Sequence, residues 1–101
     1  MATTTKALYR GAASTTTTTT LYTVPSATTT VISNIVVSNT AATASTVTVA
    51  LDGINLLPTT SIAANTVAMF DMKQVLATTK TITGGASTTA VTIHISGVEI
   101  A

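Results

Sequence analysis

Cysteine and tryptophan are both missing from this 101-residue chain. Without cysteine there is no disulfide framework, thiol nucleophile or cysteine-ligated metal. The redox compartment stays open, because a cysteine-free chain persists in any of them. Aromatic residues make up only 3%. That removes the stacking platforms of single-strand nucleic-acid binders and the ring anchors usual in sugar sites and binding hot spots. Charged residues are 7%, against roughly 25% in ordinary soluble domains. A net charge of +1 gives no electrostatic capture of nucleic acid or of an anionic membrane. No run of about 18 apolar residues is present to span a bilayer. The opening MATTTKALYRGAAS lacks the apolar centre of a standard signal peptide.

Threonine is what the chain has in abundance, with 27 copies. Mean hydropathy is +0.57 despite the scarcity of charge. Threonine must therefore supply most of the exterior. A weakly charged, Thr/Ala-rich surface suits a subunit packed against neighbours better than a free monomer.

Threonine and valine are β-branched and favour the pleated sheet. The apolar residues recur at period two. Val47, Val49 and Leu51 share one side of a strand, and Thr46, Thr48 and Ala50 the other. Val91, Ile93 and Ile95 alternate in the same way with Thr92, His94 and Ser96. One polar face and one apolar face predict an antiparallel sheet buried on one side. The run from Thr28 to Asn39 is apolar on both sides, with Val31, Ile35 and Val37 against Ile32 and Val36, which predicts a central strand. Further strands are expected around Thr19–Val24, Thr66–Met72 and Thr79–Thr83, and a short helical turn within Met72–Thr79.

Asp52-Gly53 is a strong tight-turn signal, and Gly84-Gly85 reads as a second hairpin. Pro25 ends the first of these strands, and Pro58 marks a loop or an edge. Gly97 is read as a bulge that switches Val98 and Ile100 to the other face. About six to eight short strands in one domain predict an all-β antiparallel sandwich, jelly-roll-like or Ig-like. Residues 1–18 lack periodicity and are read as an extended N-terminal arm, with the sandwich over 19–101. The arm is expected to be dispensable for folding and to reach a neighbour. Lys6, Tyr9 and Arg10 are its candidate partner contacts. In the threonine run Thr15–Thr20 the earlier half is read as the exit of that arm and the later half, Thr17–Thr20, as the start of the next strand.

No constellation for chemistry emerges. His94 is the sole histidine, and Asp52, Asp71 and Glu99 are the only acids, none at a ligand-like spacing from it. No nucleophile elbow, phosphate loop or paired carboxylates can be assembled. The expectation is a protein that is no enzyme and holds no cofactor or metal. T-x-T pairs at Thr28/Thr30, Thr46/Thr48 and Thr79/Thr81/Thr83 lack the regular interval that an ice-binding solenoid needs.

Four segments carry a resemblance: LYTVP at Leu21–Pro25, IVVSN at Ile35–Asn39, IAAN at Ile62–Asn65 and SGVEI at Ser96–Ile100. Together they resemble a group of small tailed-bacteriophage virion accessory proteins, over roughly residues 20 to 100. The resemblance implies a virion protein assembled in the host cytoplasm. Its first implied role is capsid decoration, or cement, bound to the major capsid protein as a homo-oligomer, with a trimer favoured. The alternatives are a tail, neck or fibre-base component, or a receptor- or glycan-binding adhesin module. Neither nucleic acid nor membrane is an expected partner.

Overall fold

A computed structural model describes residues 3–101. The strands are β1 (Thr3–Ala12), β2 (Thr20–Thr23), β3 (Thr29–Asn39), β4 (Ser45–Leu51), β5 (Ile54–Ile62), β6 (Thr66–Leu76), β7 (Thr81–Ala86) and β8 (Val91–Ile100). All pairings are antiparallel, in two four-stranded sheets of order β1-β8-β3-β6 (sheet A) and β2-β7-β4-β5 (sheet B). No helix occurs among the described residues.

The pairing is nested. β4 pairs with β5, β3 with β6, β2 with β7 and β1 with β8. The chain is thus one long hairpin, folded at Asp52-Gly53 and rolled up so that β3 meets β8 and β4 meets β7. This is the jelly roll of the two topologies expected from the sequence. The two-residue turn has φ of 52° at Asp52 and 76° at Gly53. Positive φ at both positions marks the primed turn whose twist matches the flanking strands.

One apolar layer lies between the sheets. Ile32, Ile35, Val37, Val47, Val49, Ile82, Val91, Ile93 and Ile95 are fully buried there. Each contributes on the order of 1.5–3 kcal/mol relative to its exposed state. The apolar positions of β4 and β8 fall on the predicted faces. Those of β3 do not, because Ser33 is extra relative to β8, between Ile32 and Asn34. The irregularity changes parity, so Ile32 joins Ile35 and Val37 inside, while Val31 and Val36 lie outside and are half-buried. Gly97 causes no switch. β8 alternates through it, and the extra residues belong to its neighbours, Leu8 in β1 and Ser33 in β3.

Three further expectations are corrected. Of the arm expected over residues 1–18, the first two lie outside the described residues, and residues 3–18 do not form an extended arm. Thr3–Ala12 is the edge strand of sheet A, in register with β8 from Thr3↔Ile100 to Ala12↔Thr92, and it buries Leu8 in the core. The helical turn within Met72–Thr79 is absent, since β6 runs on to Leu76. Gly84-Gly85 is not a hairpin turn but lies inside β7, opposite Val49 and Thr48.

The glycine there serves close approach. The amides of Gly84 and Ala86 donate to the carbonyls of Thr19 (2.9 Å) and Ser14 (2.8 Å). Thr15–Thr18 therefore loop out between two successive ladder bonds and cross above Gly85. A Cβ on Gly85 would lie 2.6 Å from the carbonyl oxygens of both Ser14 and Thr16. The loop is held by the Thr19 amide and hydroxyl, which donate to the Thr16 carbonyl at 3.2 and 2.8 Å. The strand itself begins at Thr20.

At one end of β3, Asn39 is 1% exposed and fully bonded. Its amide nitrogen lies 3.0, 3.1 and 3.3 Å from the carbonyl oxygens of Thr43, Ile62 and Ala63, and its oxygen accepts from the Ala41 amide at 3.0 Å. One side chain thus ties sheet A to the end of β5 in sheet B.

Removing residues 1–12 is expected to abolish folding, because it strips the β8 edge and uncovers the layer around Leu8. A truncated chain with the dispersed amide spectrum of the full protein would refute this. Gly85→Ala should cost about 1–3 kcal/mol in denaturant unfolding, as an overpacked contact does. Thr17→Ala, whose side chain is exposed, should cost under about 0.5 kcal/mol.

Candidate functional site

The residues singled out in the sequence do not converge. Strand alternation sends them to different faces. Lys6 reaches Glu99 Oε2 at 3.4 Å, so its charge is matched within the chain. Its side chain is 48% exposed, and such a pair contributes at most about 1 kcal/mol. Tyr9 stands on the inner row with Ile95, half-buried, and its hydroxyl donates to the Ala12 carbonyl at 3.0 Å. Arg10 is exposed on the outer row opposite His94, and no ion pair holds it among the described residues. Of the three, Arg10 alone is exposed with no side-chain partner among the described residues.

Glu99 belongs to a polar cluster that joins the sheets at the end of the sandwich opposite Asn39. The Tyr22 hydroxyl from sheet B meets Glu99 Oε2 and, at 2.9 Å, Thr30 Oγ1, both from sheet A. Thr30 is fully buried and Tyr22 is 9% exposed. A phenol has one hydrogen and gives it to the carboxylate, so the Thr30 hydroxyl donates to the phenol oxygen. Burial first, and then the bond to Glu99, push the Tyr22 pKa up to about 12. Lys6, Glu99, Tyr22 and Thr30 form a continuous chain that reads as a structural lock. The raised pKa keeps the Tyr22 phenol protonated at neutral pH, which makes it a poorer nucleophile.

His94 faces outward between Arg10 and Val36 in register. No group of three or more His, Asp or Glu able to hold a metal ion occurs among the described residues. Two of the open clefts formed by the described residues lie beside sheet B. One, of ≈ 480 Å³, lies on the outer face of sheet B between the Thr15–Thr18 loop and β4, lined with hydroxyls from Thr46, Thr48 and Thr59. The other, of ≈ 340 Å³, lies between β5 and the end of β6, lined by Ile54, Leu56, Gln74 and Val75.

The second cleft is part of a larger pattern. Among the described residues the exposed large aliphatics are Ile54, Val67, Met69 and Val75, and all four sit on β5 or β6. These strands are the two sheet edges on one side of the sandwich. Leu56, Phe70 and Met72 on the same strands are only half-buried. That side is the candidate interaction surface. In the sequence, Val67, Met69 and Val75 share one parity with Asp71 and Lys73, which is a partial signal. A strand is expected around Thr66–Met72, but its outward apolar row goes unnoticed when apolar residues are read as core.

Comparison with protein-family models gives no match, and comparison with curated proteins gives none.

As pH rises between about 10 and 12, the folded state keeps a proton on Tyr22 that the unfolded state loses. Stability therefore falls across this window, by at most about 1.4 kcal/mol per pH unit from this group. Urea midpoints at pH 9, 10 and 11 should show a steeper alkaline decline for the native chain than for Tyr22→Phe. Equal slopes would remove Tyr22 from this role.

Proposed function

We propose that this chain is a structural virion protein that decorates a phage head and stabilises its lattice. The observation that carries this reading is the surface. A jelly roll with 7% charged residues holds its largest exposed aliphatics together on one side, where a partner would cover them. The four segments that resemble phage virion proteins point the same way. Jelly rolls are common in viral shells and also in lectins, so the fold adds only an analogy.

The mechanism is linkage. A protein that binds the folded lattice and not its dissociated or unfolded parts stabilises the lattice by mass action. Repetition of the site over the shell turns modest single contacts into avidity. The major capsid protein is the proposed partner. Strand edges and flat apolar–threonine faces are suited to such packing. Arg10 remains a candidate contact for an acidic capsid surface. Lys6, held by Glu99, is a weaker one.

A tail, neck or fibre-base position uses the same surface and differs in copy number. An adhesin role has the hydroxyl-lined cleft of sheet B in its favour, although no aromatic ring lines it.

Quantitative mass spectrometry of purified particles tests the reading. Hundreds of copies per particle are expected, and capsids stripped of the protein should disrupt at lower temperature until it is added back. A handful of copies would move the protein to the tail or neck. Absence from particles would end the virion reading.

A further inference from the structure

A jelly roll has four sheet edges, and in this chain three are blunted. β2 is only 4 residues long. β5 carries Pro58, the positive-φ residue Thr59 and two register shifts against β4. β1 carries Lys6, Arg10 and the extra residue Leu8. Short length, proline, positive charge and bulges all discourage strand addition. β6 is 11 residues long and has no proline, and its outward side chains read Val67, Met69, Asp71, Lys73 and Val75. Met69 is 73% exposed and Val75 67%.

That row is complementary to itself. Two copies of β6 laid antiparallel about a two-fold axis at Met72 set Asp71 of each copy against Lys73 of the other. The same register sets Met69 of each copy against Val75 of the other. Both charges are matched, and two of the row's three exposed aliphatics, Met69 and Val75, are covered; Val67 falls opposite Ala77, just beyond the other copy's β6. Neighbouring registers that keep the faces aligned fail. An axis at Asp71 opposes the two aspartates and sets Lys73 against Met69. An axis at Lys73 opposes the two lysines. Like charges directly opposite are destabilising, and opposite charges and apolar pairs are stabilising. Neither Asp71 nor Lys73 has an ion-pair partner among the described residues.

We infer that β6 is a homodimerisation edge, which joins two copies through an antiparallel β6–β6 pair centred on Met72 into one sheet running β1-β8-β3-β6-β6-β3-β8-β1. The interface is isologous, so it closes after two copies and leaves no edge for open-ended growth. An edge lysine and a bulge ordinarily oppose such pairing. Here the lysine is answered by the aspartate of the other copy. The irregularity at Met72–Lys73 against β3 falls at the axis, where each copy presents the same kink to the other. The half-buried Phe70 and Met72 beneath the pair also become covered. The inference concerns the purified chain and does not rest on the virion reading.

Sedimentation equilibrium of the full chain tests it, with a dimer expected in the micromolar range. Asp71→Lys and Lys73→Asp should each weaken the dimer by about tenfold or more, since symmetry turns two attractive pairs repulsive in each variant. The double swap Asp71→Lys/Lys73→Asp should restore it. Because the chain has no cysteine, Met72→Cys offers a clean register probe. Opposed residues at the axis lie within disulfide reach, so mild oxidation should cross-link Met72→Cys quantitatively and Val67→Cys hardly at all. A chain that stays monomeric at every concentration would overturn the inference. A dimer indifferent to both charge reversals, or one cross-linked at Val67→Cys instead, would do so as well. If a monomer loses attachment to capsids on Asp71→Lys, the edge serves a capsid strand and the homodimer is wrong.

Discussion

The tight turn at Asp52-Gly53 is the constraint from which the other strand pairs follow. It sits at the middle of the chain, and each successive pair outward is built on the one inside it. β4–β5 brings β3 and β6 near one another, which brings β2 to β7 and β1 to β8. Positive φ at both turn residues sets the twist of the first pair, and a slip of one residue there would turn β4's apolar row to solvent. The outermost pair joins residues almost a full chain length apart, as Thr3 and Ile100 are. Loop closure is costly before such contacts form, so the topology implies slow folding from the centre outward.

With so few charges and rings, the sandwich relies on aliphatic burial and on two polar locks at opposite ends of β3. Asn39 fastens one end through carbonyls, and Thr30 fastens the other through Tyr22 and Glu99. Each is buried and joins the two sheets, so neither sheet can slide without leaving polar groups unpaired. An unpaired buried group costs about 1–3 kcal/mol, which is large beside the few kcal/mol of a small domain's stability. The apolar layer gives the sandwich its cohesion, and the locks fix its register.

Alternation made β4 and β8 legible, because each buries one parity beside a polar one, and the run of residues apolar on both sides revealed the existence of β3. β1 was hidden for a physical reason. As an edge strand it sends one side chain, Leu8, fully into the core, and its bulge there breaks the period. β5 was hidden by Pro58 and by register shifts that sequence reading takes for loop. Gly84-Gly85 misled because glycine serves both turns and close approach, and only the path of the Thr15–Thr18 loop tells which applies. The parity of β3 was misread for want of the irregularity at Ser33. Lys6, Tyr9 and Arg10 looked like one contact site because they are close in sequence. A strand separates such neighbours by face, and the Lys6–Glu99–Tyr22 chain depends on pairings spanning most of the chain.

The threonine-rich exterior bears on how such a molecule can associate at all. Hydroxyls stay hydrated without charge, so they keep the faces of the sheets in water but give no long-range repulsion between copies. Specificity must then come from the sheet edges, where backbone groups and a few side chains decide what fits. Charge near an edge contributes little to strength, since exposed pairs are screened within about 8 Å at physiological salt. Its effect is on register, because a misplaced like charge is penalised while apolar neighbours tolerate several alignments. An association built in this way depends on apolar burial and main-chain pairing for its affinity. Ionic strength then has little leverage over whether it forms, and more over how accurately it aligns.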